Sequence, residues 1–578
     1  MPRIEALVPA LRWLRSYDSQ TFSSDLIAAI IVTIMLIPQS LAYALLAGLP
    51  AEVGLYASIL PLAVYAIFGS SSTLSVGPVA IASLMTAAAV GEVAAGGQYS
   101  VTSAAVTLAA LSGGMLMAFG LLRLGFLANF LSHTVVSAFI TASAIIIALS
   151  QLRHLFGVNA GGDTITELLH SLYVAVPALN RPTLLLGGGV LAFLFFVRAQ
   201  GVRILSAVGL SPYQAQLTAK IAPVLAVIAT IALASSLQLE SLGVAVVGAI
   251  PSGLPALALP VLSLDLVEAL WLPALLISII GYVESVSVGR TLGGKRQERI
   301  DTDQELIGLG TANVASALSG GLPVTGGFSR SVVNFDAGAV TQAASLMTAV
   351  FIGLVSLFFT PLLYSLPKAT LAATIIVAVV ALVDFDVIKQ TWKVSKSDTA
   401  AVLVTMLFTL GFGVEAGVSC GILISIGLHL YRTSKPHIAE VGLLPGTQHF
   451  RNVLRHSVET LPHVLSLRVD ESLFFANASF LEDYIYKAVL FAEPKQSAEN
   501  KISQVILMCT AVNEIDFTAL ETLEAINHRL HQQDITLHLS EVKGPVMDML
   551  KRTDFLKKLS GDVFLSQFEA FSAMKKLG

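Results

Sequence analysis

The stretch Gly320-Gly321-Leu322-Pro323-Val324-Thr325-Gly326-Gly327-Phe328-Ser329-Arg330-Ser331 decides how this chain is read, and Ser75-Val76-Gly77-Pro78-Val79-Ala80 is its earlier counterpart. Each is a Gly/Pro break followed by a short apolar run, in a sequence otherwise suited to lipid. An unpaired backbone amide in hydrocarbon costs on the order of several kcal/mol, so such breaks persist only where protein or a watery cavity surrounds them. The start of a helix carries free N–H groups and about half a positive charge. Two such starts, one in each half of the chain, would form an anion site near mid-membrane. Interrupted segments in matching places point to a transporter's binding site.

Composition agrees. Of 578 residues, 55% are hydrophobic and 12% charged, against about 25% charged in soluble domains. The formal net charge of −4 gives no reason to expect a nucleic-acid partner. The two cysteines, Cys420 and Cys509, offer neither a disulfide framework nor a zinc spacing. His154 and His170 are assigned to an outer loop with no ligand spacing, so no metal and no cofactor is expected. Met1 to Ser24, with Arg3, Arg12 and Arg15, reads as a surface amphipathic helix and not as a signal peptide.

Apolar runs recur from Leu26 to about Tyr431. They divide into segments near 26–46, 53–69, 78–95, 103–122, 128–150, 182–199, 219–236, 266–289, 304–320, 326–337, 340–362, 369–383, 399–413 and 417–433. The third and tenth are the short, broken ones. With the amino terminus inside, cytoplasmic loops receive Arg123, Arg198, Arg203, Lys220, Arg290, Lys295, Arg296, Arg299, Lys389, Lys393, Lys396, Arg432 and Lys435. Outer loops keep Arg153, Arg181 and Lys368. This asymmetry requires an odd number of crossings per half, which makes the second half (about 266–433) an inverted copy of the first (about 25–236). In each half the glycine break follows a polar Gln39 or Glu284 by about forty residues. After Pro436 the chain becomes an α/β domain over 436–578: 464–469, 504–509 and 535–539 read as strands, and 518–533 as an amphipathic helix.

Glu284 is the sharpest single residue. Deep in an apolar helix an ionised carboxylate is disfavoured, so it either takes up and releases a proton or is a permanent partner of Arg330. Arg330, one turn into the second broken helix, adds full charge to the field of the helix start or neutralises Glu284. Ser329, Thr325, Gly326 and Gly327 could offer hydroxyl and backbone donors; small-residue helix packing is the competing reading. Gln39 and Tyr43 are four apart and share one helix face. The cluster Glu298, Arg299, Asp301, Asp303 and Glu305 reads as a solvated cytoplasmic loop. In the tail, Asp516 reads as the N-cap of a helix, with Thr518 a phosphorylation or recognition point in the sharper reading.

On these motifs, with Pro38-Gln39-Ser40-Leu41-Ala42-Tyr43-Ala44-Leu45-Leu46-Ala47-Gly48-Leu49-Pro50 and Ile300-Asp301-Thr302-Asp303-Gln304-Glu305-Leu306, the chain resembles the SulP family of sulfate permeases and related anion transporters, also called solute carrier family 26. The tail resembles that family's STAS domain. The resemblance implies a polytopic α-helical membrane protein with seven plus seven inverted segments in core and gate domains, followed by a cytoplasmic α/β domain, and a homodimer. It implies an anion site with Pro78, Val79 and Ala80 opposite Gly327, Phe328, Ser329 and Arg330. Gln39 and Tyr43 match its first-helix site positions and Glu284 its acidic position in segment eight. Bicarbonate members tend to place Asp there, so Glu284 favours a proton over sodium. The module often has Ser where Thr518 stands. The expected function is proton-coupled uptake of sulfate across a cell inner membrane by alternating access, with both termini cytoplasmic and a partner at the STAS domain. A bicarbonate or C4-dicarboxylate symporter, or an uncoupled exchanger or channel, is the alternative. An enzyme is not expected, because no Walker lysine follows the glycines.

Overall fold

The computed structural model describes residues 8–126, 132–162, 164–209, 211, 214–215, 218–219, 221–492 and 501–576. Arg3 and Lys220 lie outside them. The chain divides into two compact units, Met1–Ser425 and Ile426–Gly578.

In the first unit, a short helix α1 (Ala10–Arg15) precedes the first apolar segment, α2 (Ser19–Leu46). The second segment is the pair α3 (Ala51–Tyr56) and α4 (Leu60–Phe68); strand β1 (Val76–Gly77) then leads into α5 (Ala80–Ala95). α6 (Val101–Leu121), α7 (His133–Phe156), α8 (Ile165–Ala175), α9 (Arg181–Phe196), α10 (Val202–Ala207) and α11 (Ala222–Ser236) complete the first half. The second half runs through α12 (Leu264–Arg296), α13 (Thr302–Leu318), β2 (Thr325–Gly326), α14 (Phe328–Asp336), α15 (Ala343–Phe358), α16 (Lys368–Val380), α17 (Asp386–Val394), α18 (Lys396–Phe412) and α19 (Val414–Ser434). All fourteen expected segments are present, seven per half. Of the remaining helices, α1 precedes the first segment, α10 continues α9 through a π-helical turn (Val197–Gly201), and α8 and α17 each fall between the fifth and sixth segments of their half.

Packing sorts the helices into two groups. α2, α4, α5, α6, α12, α13, α14 and α15 pack on one another; α7, α9, α11, α16 and α18 form the second group. The groups meet where α2 touches α11 and α16 and where α5 touches α7. Small residues bring α6 and α13 together: a Cβ on Gly113 would sit 2.7 Å from Val314 N, and one on Gly310 2.7 Å from Met117 N.

α2 begins earlier than hydropathy suggests because Asp18 caps it, its Oδ1 accepting from Thr21 N at 2.8 Å. Asp25 therefore lies inside the helix, fully buried, and accepts hydrogen bonds from Val340 N (2.6 Å), Thr341 N (3.1 Å) and Thr341 Oγ1. Of the acidic and basic cluster, Glu298, Arg299 and Asp301 are exposed and outside the helices as expected, but Asp303 and Glu305 lie in the first turn of α13. Asp301 caps α13, and Glu305 is 1% exposed, accepting from Tyr65 Oη (2.6 Å), Ser70 Oγ (2.7 Å) and Ser70 N (3.2 Å). Its charge is tolerated because it faces the helix start and three donors. His154 and His170 lie in helices α7 and α8, not in a loop.

In the second unit a six-stranded sheet has the order β4-β3-β5-β6-β7-β8. Its strands are β3 (Ile438–Leu443), β4 (Phe450–Asn452), β5 (Val464–Val469), β6 (Gln504–Met508), β7 (Thr536–Ser540) and β8 (Val563–Phe564). β5 to β8 are parallel, with Val464 opposite Gln504 and Gln504 opposite Thr536. The crossovers are α20 (Ala478–Ala492) and α21 (Phe517–His531), followed by α22 (Gly544–Lys551), α23 (Phe555–Lys558) and α24 (Gln567–Lys575). Asp516 caps α21 through Ala519 N at 2.8 Å, Thr518 is exposed in its first turn, and Cys509 is buried as a small hydrophobe.

Candidate anion site between two broken helices

Pro78 cannot donate a ladder hydrogen bond and disfavours helix at Gly77, so the chain stays extended through the first break. In the second break α13 ends at Ser319, and Gly320 takes φ +70, the left-handed turn that closes a helix with least strain in glycine. Each extended stretch then satisfies its backbone on the other. β1 and β2 pair antiparallel, Val76 with Gly326 and Gly77 with Thr325, and Gly327 N donates to Ser75 O at 3.2 Å. Antiparallel entry sends α5 and α14 away in opposite directions from a common point, which is the inverted symmetry in its most local form.

The two helix starts touch. A Cβ on Gly327, the N-cap of α14, would lie 3.1 Å from Val79 Cγ1, and Val79 is the N-cap of α5. Neither N-cap carries a side-chain hydrogen bond. Asp18, Ser100, Asn180, Asp301 and Ser395 cap α2, α6, α9, α13 and α18, while α7, α12, α15 and α16 also start without a side-chain cap; what sets α5 and α14 apart is that their uncapped starts meet. The first turn of a helix has N–H groups without intrahelical partners, and here the starts of α5 and α14 face one another with no cap to fill them.

Arg330 stands beside this junction, 2% exposed. Its Nη2 donates to Thr325 O at 3.4 Å, while Nη1 is buried and has no hydrogen-bond partner among the described residues. The guanidinium occupies the space left by two glycines: a Cβ on Gly327 would be 2.9 Å from its Nε, and one on Gly77 would overlap Nη1. Glu284 is half-buried and lies within electrostatic reach of Arg330 and Tyr43, but it is not Arg330's hydrogen-bonded partner. Tyr43 is buried and Gln39 half-buried, both on α2, whose interior Pro38 lies one residue before Gln39.

A cavity of about 610 Å³ reaches Glu284 and Phe328. One wall is α12 (Val283 to Thr291) with Phe328; the other is Val136, Ser137 and Ile140 of α7 with Leu382 and Asp384 beyond α16. It thus runs between the two helix groups. Of the expected site residues, Glu284 and Phe328 line this cavity, whereas Gln39, Tyr43, Pro78, Val79, Ala80, Gly327, Ser329 and Arg330 do not. Phe328 and Ser329 are exposed, and Pro78, Val79, Ala80 and Gly327 are buried at the junction.

Two anticipated donors are already taken. Thr325 Oγ1 donates to Gly281 O at 2.6 Å, and Gly326 N donates to Ser285 Oγ at 2.9 Å. Sequence reading missed the groups that hold the break in place. Asn313 clamps both sides of Val324, accepting from its N (2.9 Å) and donating to its O (2.8 Å). Ser331 Oγ accepts from Ser75 N at 3.0 Å, and Gln342 Nε2 donates to Ser71 O and Leu74 O. A polar residue within an apolar segment was the signal available for each.

Residues 22–405 match the model of the sulfate permease family and residues 455–570 that of the STAS domain. Over 97% of this chain and 81% of its own length, sulfate transporter 4.1 of Arabidopsis thaliana, a chloroplastic protein, is 35% identical. A probable sulfate transporter of Mycobacterium tuberculosis is 31% identical over 98% of both chains. Among solved structures, the murine solute carrier 26 family member A9 anion transporter in the inward-facing state superposes with a TM-score of 0.87 at 22% identity, covering 100% of this chain and 95% of that one. The transmembrane domain of the cyanobacterium bicarbonate transporter BicA gives 0.59 at 23% identity over 71% of this chain and 99% of that one. Those two likenesses concern the fold. With two families' models covering the two units in order, the chain belongs to the sulfate permease family, a family of transporters and not enzymes, and carries a C-terminal STAS domain.

Proposed function

We propose that this protein takes up sulfate together with a proton by alternating access, binding the anion where the starts of α5 and α14 meet, at the edge of the cavity that Phe328 and Glu284 line. The observation that carries the reading is the junction itself: two touching, uncapped helix starts with a buried guanidinium whose Nη1 has no partner among the described residues. The charges match a dianion. Two helix starts contribute about half a charge each and Arg330 one more, about two in all. An ionised Glu284 would reduce that sum by one, and a protonated Glu284 restores it, so sulfate and proton binding reinforce each other. The names of the curated relatives point to sulfate. The site residues of this reading are Gln39, Tyr43, Pro78, Val79, Ala80, Gly327, Phe328, Ser329 and Arg330, with Glu284 as the coupling group.

The cavity, which opens between two separately packed helix groups and reaches the site's edge, supports alternating access. Arg290 is among its lining residues and belongs to the Lys- and Arg-rich loop set, so by the charge rule the cavity faces the cytoplasm. Both termini then lie in the cytoplasm of a cell whose inner membrane holds the protein, as a homodimer whose STAS domain is offered to a cytoplasmic partner.

The test is uptake of labelled sulfate into proteoliposomes with an imposed pH gradient, with and without sodium, against bicarbonate and C4-dicarboxylates as competitors. Proton-driven accumulation of sulfate is expected in the wild type. Glu284→Gln, which resembles the protonated acid, is expected to bind sulfate without pH dependence and to lose proton-driven accumulation. Uptake by Glu284→Gln with unaltered pH dependence would refute coupling through this residue, and equilibration without accumulation in the wild type would favour an uncoupled exchanger or channel.

A further inference from the structure

We propose that Ser285 and Thr325 are positioning residues that bind the proton-carrying helix and the anion-carrying half-helix into one rigid unit. The inference rests on the proton-coupled reading above and adds how the two sites communicate.

Glu284 and Ser285 are neighbours on α12 and point about 100° apart. Glu284 lines the cavity, whereas Ser285 is 1% exposed and faces β2. Ser285 Oγ and Thr325 Oγ1 lie 2.8 Å apart, and each is 2.6 Å from the Gly281 carbonyl oxygen. Ser285 Oγ also accepts from Gly326 N at 2.9 Å. One side-chain hydroxyl from each element, one carbonyl and one backbone N–H thus form a closed buried cluster. Gly281 is part of it by omission: a Cβ there would sit 2.9 Å from Thr325 Oγ1. Thr325 O in turn receives Arg330 Nη2, so the cluster continues to the guanidinium beside the helix start.

Fully satisfied buried polar clusters are rigid, because any displacement leaves a desolvated group unpaired. The separation of Glu284 from Arg330 and from the start of α14 is therefore fixed while the helix group moves. Coupling then acts through space, by charge at constant distance, and neither site needs to shift relative to the other.

The measurement is the KM for sulfate at an acidic and a neutral external pH in proteoliposomes, for wild type, Thr325→Val, Thr325→Ser and Glu284→Gln. Valine keeps the shape of threonine and removes the hydroxyl. In Thr325→Val the ratio of the two KM values is expected to fall about fivefold, the lower end of the range of coupling between sites, with kcat little altered. Thr325→Ser is expected to recover most of the ratio, and Glu284→Gln to abolish it. Size-exclusion profiles and unfolding temperatures of the variants identify any that fail to fold, and Ser285→Cys, which keeps a weak donor and acceptor, serves as a second probe with the same expectation of partial recovery. If the wild type shows the pH ratio and Thr325→Val keeps it in full, the latch is refuted and the coupled reading stands. If the wild type shows no ratio, the coupled reading itself fails.

Discussion

Replacing Gly77 by alanine tests the anion site at its most constrained atom. An ideal Cβ at Gly77 overlaps Arg330 Nη1 and falls 3.3 Å from Cζ, so the guanidinium must retreat by about 1 Å to restore ordinary contact near 3.5 Å. Taking the guanidinium about 4 Å from a bound anion and an effective dielectric constant near 20, unit charges attract by about 4 kcal/mol, falling to about 3.3 kcal/mol at 5 Å. For a dianion the loss is then ~1.7 kcal/mol, or about fifteenfold in Kd. The extended backbone at β1 accepts alanine, so the unfolding temperature is expected to stay close to wild type. Gly91, on the same half-helix α5, has open space around its would-be Cβ and supplies the control. The assay is equilibrium binding of labelled sulfate to purified protein, with thermal unfolding in parallel. Wild-type affinity in a folded Gly77→Ala protein would show that Arg330 does not help hold the anion from where it sits.

Two further outcomes follow from groups away from the site. Asp25→Asn sets an amide against the Val340 and Thr341 donors in a fully buried position; loss of about 2–4 kcal/mol in stability is expected, read as a lowered unfolding temperature of the purified protein. In the STAS domain, burial pushes the Asp470 carboxyl up, but hydrogen bonds from Arg468 (Nη2, 3.0 Å) and His437 (Nδ1, 2.7 Å) outweigh it and hold the group below its ordinary value. The stability it contributes is present above the unfolded carboxylate pKa of about 4 and is lost as pH falls through the lower folded value. Hydrogen exchange of the β5 amides in the full-length protein is expected to accelerate over that acid range, and Asp470→Asn to flatten the change.

The seven-plus-seven layout, the two breaks, the half-helices and the strands at 464–469 and 504–508 were all legible in the amino-acid sequence. The reason is that hydrocarbon permits so few backbone solutions that any departure, such as Gly77-Pro78 or Gly320 to Gly327, is visible as composition. Glu284 and Arg330 were legible for the same reason, as charges where charge is disfavoured.

Tertiary structure decided what each polar residue is for. Glu305 and its neighbours read as a solvated loop because their charge is mixed, yet Tyr65, 240 residues earlier, buries and pairs that carboxylate. Asp25 looks like a residue before the first span until the Val340–Thr341 backbone, 315 residues on, is laid against it. Thr325 and Gly326 looked like ligand donors, and Ser285, 40 residues away, shows that they are already spent on holding the break. A donor's partner is a matter of which segments become neighbours, and periodicity along one segment carries no record of that.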